Sequence, residues 1–422
     1  MSVICINLQN QISKLDIKAL YISYDGLTDP LGQSQILPYL EGLSSKGIQF
    51  HIISFEKSQR FDQLKETIEE RCEKARIIWT PLMYTKNPPL ISTILDLRKM
   101  HKLAFKLHKE NDFDIVHCRS DLPALIGTKL QKKGVKFIFD MRGFWADERV
   151  EGGIWSLKNP VFKKAYNYFK KKELSFFKEA NAVISLTSNG KNEILSWKEF
   201  KANPPYIEVI PCCVDLDKFD PKKIEQSEVA IAKKELNLEN SDFILGYVGS
   251  IGTWYMLDEM LDFYNSIRQR YRTPKLLFIS GESSSLIKAK ALEKGVPEEE
   301  IVVKSVPHSA VPLHLTLFDF SIFFIRPTFS KKASSPTKQG ELMALGIPIV
   351  CNSGVGDTDA IVENYNAGKI ISNLNEKNYS DTPLEPNSYD ISAIREGARE
   401  VYSLEKGVEK YYKVYEFVMY KD

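Results

Sequence analysis

A marked charge bias, paired cysteines and membrane-length apolar runs are all missing from this sequence of 422 residues. Lys and Arg total 57 against 55 Asp and Glu, a net charge of +2, so no global field marks a nucleic-acid binder and any basic partner surface must be local. The cysteines Cys5, Cys72, Cys118, Cys212, Cys213 and Cys351 form no C-x-x-C pair, which speaks against a zinc site or a disulfide framework and fits a reducing cytoplasm. The opening residues, MSVICINLQNQISKLD, lack a basic start followed by a sustained apolar run, so no secretory signal is expected. The most apolar stretch, LTLFDFSIFFI, is too short for a bilayer span and carries Asp319, which fits a buried helix-to-strand passage. Neither G-x-x-x-x-G-K-[ST] nor H-E-x-x-H occurs, which removes the P-loop nucleotidases and one large class of metalloproteases.

What the chain does have is length and alternation. Its length favours two domains over one core. Strand-like runs (ALYISYD, FHIISF, DIVHCR, KFIFDMR, AVISLT, IEVIP) alternate with helical segments through the first half. The pattern restarts with FILGYVGS, KLLFISG, EIVVKS, FSIFFIRP, IPIVC and KIIS. This order predicts an α/β fold of two doubly wound parallel sheets, both faces covered by helices. The expected boundaries are a first Rossmann-like domain over 1–208, a linker over 209–222 around IPCCVDLDKFDPKK, a second Rossmann-like domain over 223–395, and a helix over 396–422 that packs back toward the first domain. Two such domains facing each other form a cleft at the carboxyl ends of their strands, where folds of this kind bind ligands.

The segment SSPTKQGELMALGIPIV, 334–350, is the most informative short stretch. Ser335 suits an N-cap, Pro336 a first helical position, Gly346 a left-handed C-cap, and Pro348 blocks continuation. A helix start at the cleft is an anion site, to which Lys338 adds a mobile cation. Glu341, one turn on, suits the two hydroxyls of a ribose. The competing account is a solvated ion pair worth only about 0.2–0.5 kcal/mol. In GSIGT, Gly249 and Gly252 would let the backbone approach a ligand closely.

The blocks IPCCVDLDKFDP, GYVGSIGTWYMLDEML, VPHSAVPLHLTLFDFSIFFIRP and SSPTKQGELMALGIPIVCNSGVGDTDAIVE resemble, in order, those of glycosyltransferase family 4, the group 1 transferases. YDGLTDPLGQSQILPYLEGL, DIVHCRSDLPALIG and FDMRGFWADERVEGGIW resemble the acceptor-side blocks of the same family. The resemblance implies a GT-B fold, a UDP- or GDP-sugar donor held by the second domain, no other cofactor, and transfer with retention of anomeric configuration. Glu341 matches the second glutamate of the family's E-x7-E element, which holds the donor ribose. The first falls on Ala333, so the chain is closer to a subgroup with S-P-x-K-x-x-E, in which Lys338 carries part of the diphosphate charge. The family's Arg and Lys after the first strand of the second domain fall on Ser250 and Tyr255. Lys338, Arg326 and the helix-start amides near Ser335 and Thr337 are the expected replacements, with the backbone around Gly249, Ser250 and Gly252 close to the donor. Gly32, in DPLGQSQ, either brings amides to the diphosphate or serves a plain strand-to-helix turn.

On the first-domain side, Arg119 falls at the family's sugar-contacting histidine and shares a strand face with His117, which reads as a core histidine. The loop RGFWADERVEGG gathers Arg142, Asp147, Glu148 and Glu151 after a strand. Glu148 and Arg119 are expected to orient sugar and acceptor, and Trp145 either stacks on a sugar or pins the loop. The aspartate pairs DFD (112–114), DLD (215–217) and DTD (357–359) mimic the metal site of the other large glycosyltransferase fold, but three chance matches show how cheap the pattern is, and no catalytic metal is expected. The segment 161–180 interleaves lysines with aromatics, which serves a core-facing helix or an anionic membrane surface. The chain therefore reads as a metal-independent hexosyltransferase acting on a glycan or lipid-linked acceptor in surface polysaccharide assembly, cytoplasmic or peripheral on the inner membrane face. The rivals are a sugar-nucleotide epimerase of the same fold and a non-catalytic partner- or membrane-binding protein.

Overall fold

Runs buried on both faces form two parallel sheets. In the computed structural model, which describes residues 17–88 and 90–420, the first sheet comprises β1 (Ile17–Ser23), β2 (Ile48–Glu56), β3 (Ile78–Met83), β4 (Ile115–Arg119), β5 (Lys136–Asp140), β6 (Ala182–Ser185) and β7 (Ile207–Val209). Its order is β3-β2-β1-β4-β5-β6-β7, every pair parallel. The second comprises β8 (Phe243–Val248), β9 (Pro274–Ile279), β10 (Ile301–Lys304), β11 (Phe320–Phe323), β12 (Ile349–Asn352) and β13 (Gly368–Ile371), ordered β10-β9-β8-β11-β12-β13 and again parallel. The opening segment read for a signal lies outside the described residues.

β3 has no counterpart among the sequence expectations. It is an edge strand that carries Pro81 and is only partly covered, so it shows neither a continuous apolar run nor clean alternation. The order of each sheet reverses once, between β1 and β4 and between β8 and β11, and ligand crevices form at such switch points. Arg119 ends β4 in register with Ser23 of β1 and Asp140 of β5, which fixes it at the crevice of the first sheet. Gly249, just past β8 and at φ 109°, turns the chain at the crevice of the second.

The chain crosses between sheets twice. The outward crossing follows β7, and the return separates the helix Ile391–Val401, on the second domain, from Leu404–Tyr420, on the first. The C-terminal segment is thus two helices where one was expected. The crossings pair with each other: Val214 donates its N–H to the Tyr402 carbonyl (2.7 Å), and Leu404 donates to the Val214 carbonyl (3.1 Å). The last helix buries Val408, Tyr411, Tyr415 and Val418 in the same core as Ile17, Ile52 and Ile115. Among the described residues no helix is long and apolar enough to cross a membrane, and LTLFDFSIFFI runs from the last residue of the short helix Val311–Leu315 through a turn into β11.

Candidate active site

The helix Thr337–Leu345 opens beside the strand ends of the second sheet. It begins one residue later than expected: Pro336 is its extended N-cap residue, and Ser335, forced away from helical geometry by the proline after it, does not cap. The Ser335 hydroxyl instead accepts the Cys212 N–H (3.1 Å) and so ties the interdomain linker to the helix start. Gly346 takes the left-handed cap as read from the sequence, at φ 78°.

Lys338 lies in the first turn and is 5% exposed, so it is no surface pair with Glu341. Its ammonium sits 3.8 Å from the ring centre of Tyr255 and 4.1 Å from that of Tyr247, with no hydrogen-bond partner. It points toward the positive-φ Gly249, where a Cβ would stand 3.3 Å from Nζ. Burial pushes its pKa well down, and Glu341 pulls in the other direction. The aromatic faces compensate only part of the lost hydration. Glu341 is partly exposed, and burial raises its pKa against the opposing pull of Lys338 and Lys218. Lys218, from the linker, lies 2.5 Å from Nδ1 of His308. A buried cation without an anion, at a glycine turn over a helix start, forms a prepared anion site.

Across the cleft, Arg119 is 4% exposed and lies 3.4 Å from Asp25 and 3.8 Å from Asp140. Asp140 is the hub. Its carboxylate also faces Arg142 (3.7 Å) and His117 (3.6 Å) and accepts the Tyr411 hydroxyl proton (3.2 Å). Burial alone would raise its pKa; Arg142, His117 and Arg119 hold it down at about 2. His117 bonds Tyr415 through Nδ1 (2.8 Å) and is lowered in pKa by burial, so it is a core residue facing the last helix while Arg119 faces the cleft.

Between these walls lies a cleft of about 440 Å³, lined by Arg119, Arg142, Trp145 and Glu148 on one side and Trp254, Tyr255, Lys331 and Thr337 on the other. The second domain reaches over it with the turn Phe329–Ala333. Lys331 pairs with Glu148 (2.6 Å), and Glu151 accepts the Ser330 N–H (3.0 Å). Lys332 pairs with Glu193 (2.8 Å), and Asp357 accepts the N–H groups of Ser188 (2.6 Å) and Asn189 (2.9 Å). Ala333 is fully buried against the helix Ser188–Ser196, so close that a Cβ on Gly190 would stand 2.8 Å from its methyl. A glutamate there would press on that helix, which gives the departure at 333 a steric reason.

The remaining expected residues are dispersed. Gly32 packs under the preceding turn, where a Cβ would meet the Gly26 carbonyl oxygen at 2.0 Å; its neighbour Leu31 lines the cleft. Ser250 accepts the Tyr247 hydroxyl through its carbonyl (2.6 Å), and Gly252 stands in open space. Arg326 is exposed, its N–H donated to the Trp254 carbonyl (2.9 Å). Trp145 packs edge-on to Trp155 at 5.3 Å under the Arg149 guanidinium. Asp114, Asp215, Asp357 and Asp359 of the three aspartate pairs all accept backbone N–H groups.

Sequence reasoning missed Trp254, Lys331 and a buried acid cluster beneath the Glu148 helix. In that cluster Lys170 pairs with Asp147 (2.7 Å) and with Glu173, while Asp121 is 1% exposed with neither carboxyl oxygen hydrogen-bonded. Only the density of charged residues in ADERVE and YFKKKE signalled it. Burial raises the pKa of Asp121, and it raises that of Glu173 to about 7 against the opposing pull of Lys170.

Residues 35–218 match Glycosyltransferase Family 4, and residues 229–382 match Glycosyl transferases group 1, one on each sheet. No curated protein matches by sequence. Among solved structures, sucrose-phosphate synthase from Thermosynechococcus elongatus superposes with a TM-score of 0.71 at 14% identity over 95% of this chain and 98% of its own. A glycosyltransferase from Rickettsia africae gives 0.69 at 15% identity over 96% and 100%. Anabaena HepE, crystallised with UDP and glucose, gives 0.67 at 11% identity over 95% and 99%. The fold is GT-B.

Two outcomes are expected. Lys338→Met removes a buried unpaired ammonium and should stabilise the fold, on the order of 1–2 kcal/mol, measured by chemical denaturation. Glu173 binds its proton more tightly folded than unfolded, so stability should fall as pH rises from its ordinary 4.5 to about 7. Glu173→Gln should flatten that slope in a series of melting temperatures against pH.

Proposed function

Because the chain belongs to the group 1 transferases of glycosyltransferase family 4, we propose that it moves a hexose-type sugar from a nucleoside diphosphate to a glycan or lipid-linked acceptor, with retention and without a metal. The single observation that carries this reading is Lys338, a buried ammonium with no hydrogen-bond partner, held by two tyrosines and aimed at the glycine turn after β8. Glu341, three residues on, would receive the ribose hydroxyls. The amides near Thr337 and Gly249 would face the diphosphate with Lys338 as its charge grows in the transition state. Arg119, fixed by Asp25 and Asp140, would orient the sugar, and Glu148 would meet the acceptor.

In the transfer the acceptor oxygen bonds to the anomeric carbon as the bond from that carbon to the diphosphate oxygen breaks. The acceptor proton passes to the departing phosphate on the same face, so no carboxylate base is required. Closure between domains excludes water and limits donor hydrolysis. A membrane-bound acceptor is supported by the exposed Ile154, Leu157, Val161 and Tyr168, which lie among exposed Lys158, Lys163, Lys164 and Lys171 along and just before the helix Pro160–Glu179. We assign the pathway to surface polysaccharide assembly at the inner membrane face.

Calorimetric titration of UDP and GDP with chelator present should show one of them binding, and Glu341→Ala should abolish it. Absence of binding to the wild type would leave a non-catalytic role, and turnover of a sugar nucleotide without acceptor would indicate an epimerase. The membrane assignment predicts co-sedimentation with vesicles rich in anionic lipid that is lost in a Lys163→Glu/Lys164→Glu/Lys171→Glu variant; binding that is equal for both proteins would refute it.

A further inference from the structure

Two consecutive aromatic residues each seat a lysine. Trp254 and Tyr255 end the loop after β8, and the Lys331 ammonium lies 3.7 Å from the Trp254 ring centre as Lys338 lies 3.8 Å from that of Tyr255. Both rings line the cleft, with Lys331 between them and Glu148. Lys331 lines the same cleft as Ser335, Pro336 and Thr337, at the start of the helix that carries Lys338, so it can add a second positive charge where a diphosphate would meet that helix.

Its present partner is weakly placed to keep it. Lys331 is 7% exposed while Glu148, on the other domain, is 38% exposed, so a buried cation is neutralised by a carboxylate that is only partly buried and stays open to the cleft. An anion of higher charge entering from the cleft competes for the ammonium, and the Trp254 face keeps that ammonium in place during the exchange. Lys338 shares a helix turn with Glu341, the ribose residue, whereas Lys331 stands on the side of the acceptor domain. That order puts Lys331 against the phosphate farther from the nucleoside.

We propose that Lys331 is a second cation of the donor site, which binds the distal phosphate of the nucleoside diphosphate, and that Glu148 is its counter-ion in the empty cleft. Donor entry transfers the ammonium from carboxylate to phosphate and releases Glu148 toward the acceptor. This rests on the donor-site reading above, which the same experiment tests separately.

The experiment is calorimetric titration of UDP, GDP and their monophosphates, without metal, into wild type, Lys331→Met, Lys331→Arg and Glu148→Gln. Lys331→Met should weaken the diphosphate roughly ten- to a hundredfold and leave the monophosphate of the same base unchanged. Lys331→Arg should restore most of the affinity, which also shows that the site tolerates substitution. Glu148→Gln should bind the diphosphate more tightly than wild type, because the competing carboxylate is gone. Opposite signs for the two partners support the proposal. Equal weakening in both would make the pair an interdomain tie only, and equal loss for mono- and diphosphate would place Lys331 elsewhere; either overturns it. If wild type binds and Lys331→Met matches it, Lys331 alone falls; if wild type binds neither nucleotide, the donor reading falls with it.

Discussion

The pairing of the two chain crossings is the constraint on which the site depends. Val214 bonds both Tyr402 and Leu404, so the outward and return strands form one short connection between two rigid sheets. A two-point attachment restricts the relative motion of the sheets more than a single linker would. The residues that face each other over the cleft come from six or more separated segments, and they meet because this connection limits how the sheets can be arranged. The last helix strengthens it: Tyr411 and Tyr415 reach from the return crossing into the network of Asp140, beneath Arg119.

Electrostatics divides the cleft into two unlike walls. On the first domain the charges are compensated, with Asp140 held ionised among Arg119, Arg142 and His117. Such a network gives direction more than net charge, and it locks the Arg119 side chain at the end of β4. On the second domain Lys331 is paired with Glu148, but Lys338 has no hydrogen-bond partner. Lys338 keeps its ammonium only against aromatic faces, an arrangement that is poor for stability and well suited to an anion that arrives later.

Much of the fold was legible because parallel strands buried on both faces read as continuous apolar runs; β8, FILGYV, is buried at every position. β3 was not, since Pro81 and its half-covered side chains erase that signal. Helix ends were readable at Gly346, where backbone conformation dictates the residue, and less so at Ser335, whose hydroxyl was drawn to Cys212 by a tertiary contact. In the site, Lys338 and Glu341 could be picked out because local spacing and the expected helix start coincide. The Tyr247 and Tyr255 seat could not, because those rings come from a strand and loop some eighty residues away along the chain. Lys331 in FSKKA looks like an ordinary solvated lysine, and only the fold places Trp254 beneath it and Glu148 above it.

The packing at Ala333 bears on how this chain can change. Its methyl fills the space over Gly190, at the start of a helix whose first amides are bound by Asp357 from the other domain. A glutamate at 333 would have to displace that helix, and displacement would break the contacts that join the domains there. No single substitution returns the chain to the E-x7-E arrangement; neighbouring positions on both domains must change together. The packing at Ala333 and the contacts that join the domains there therefore form one unit, and a change in either is felt by the other.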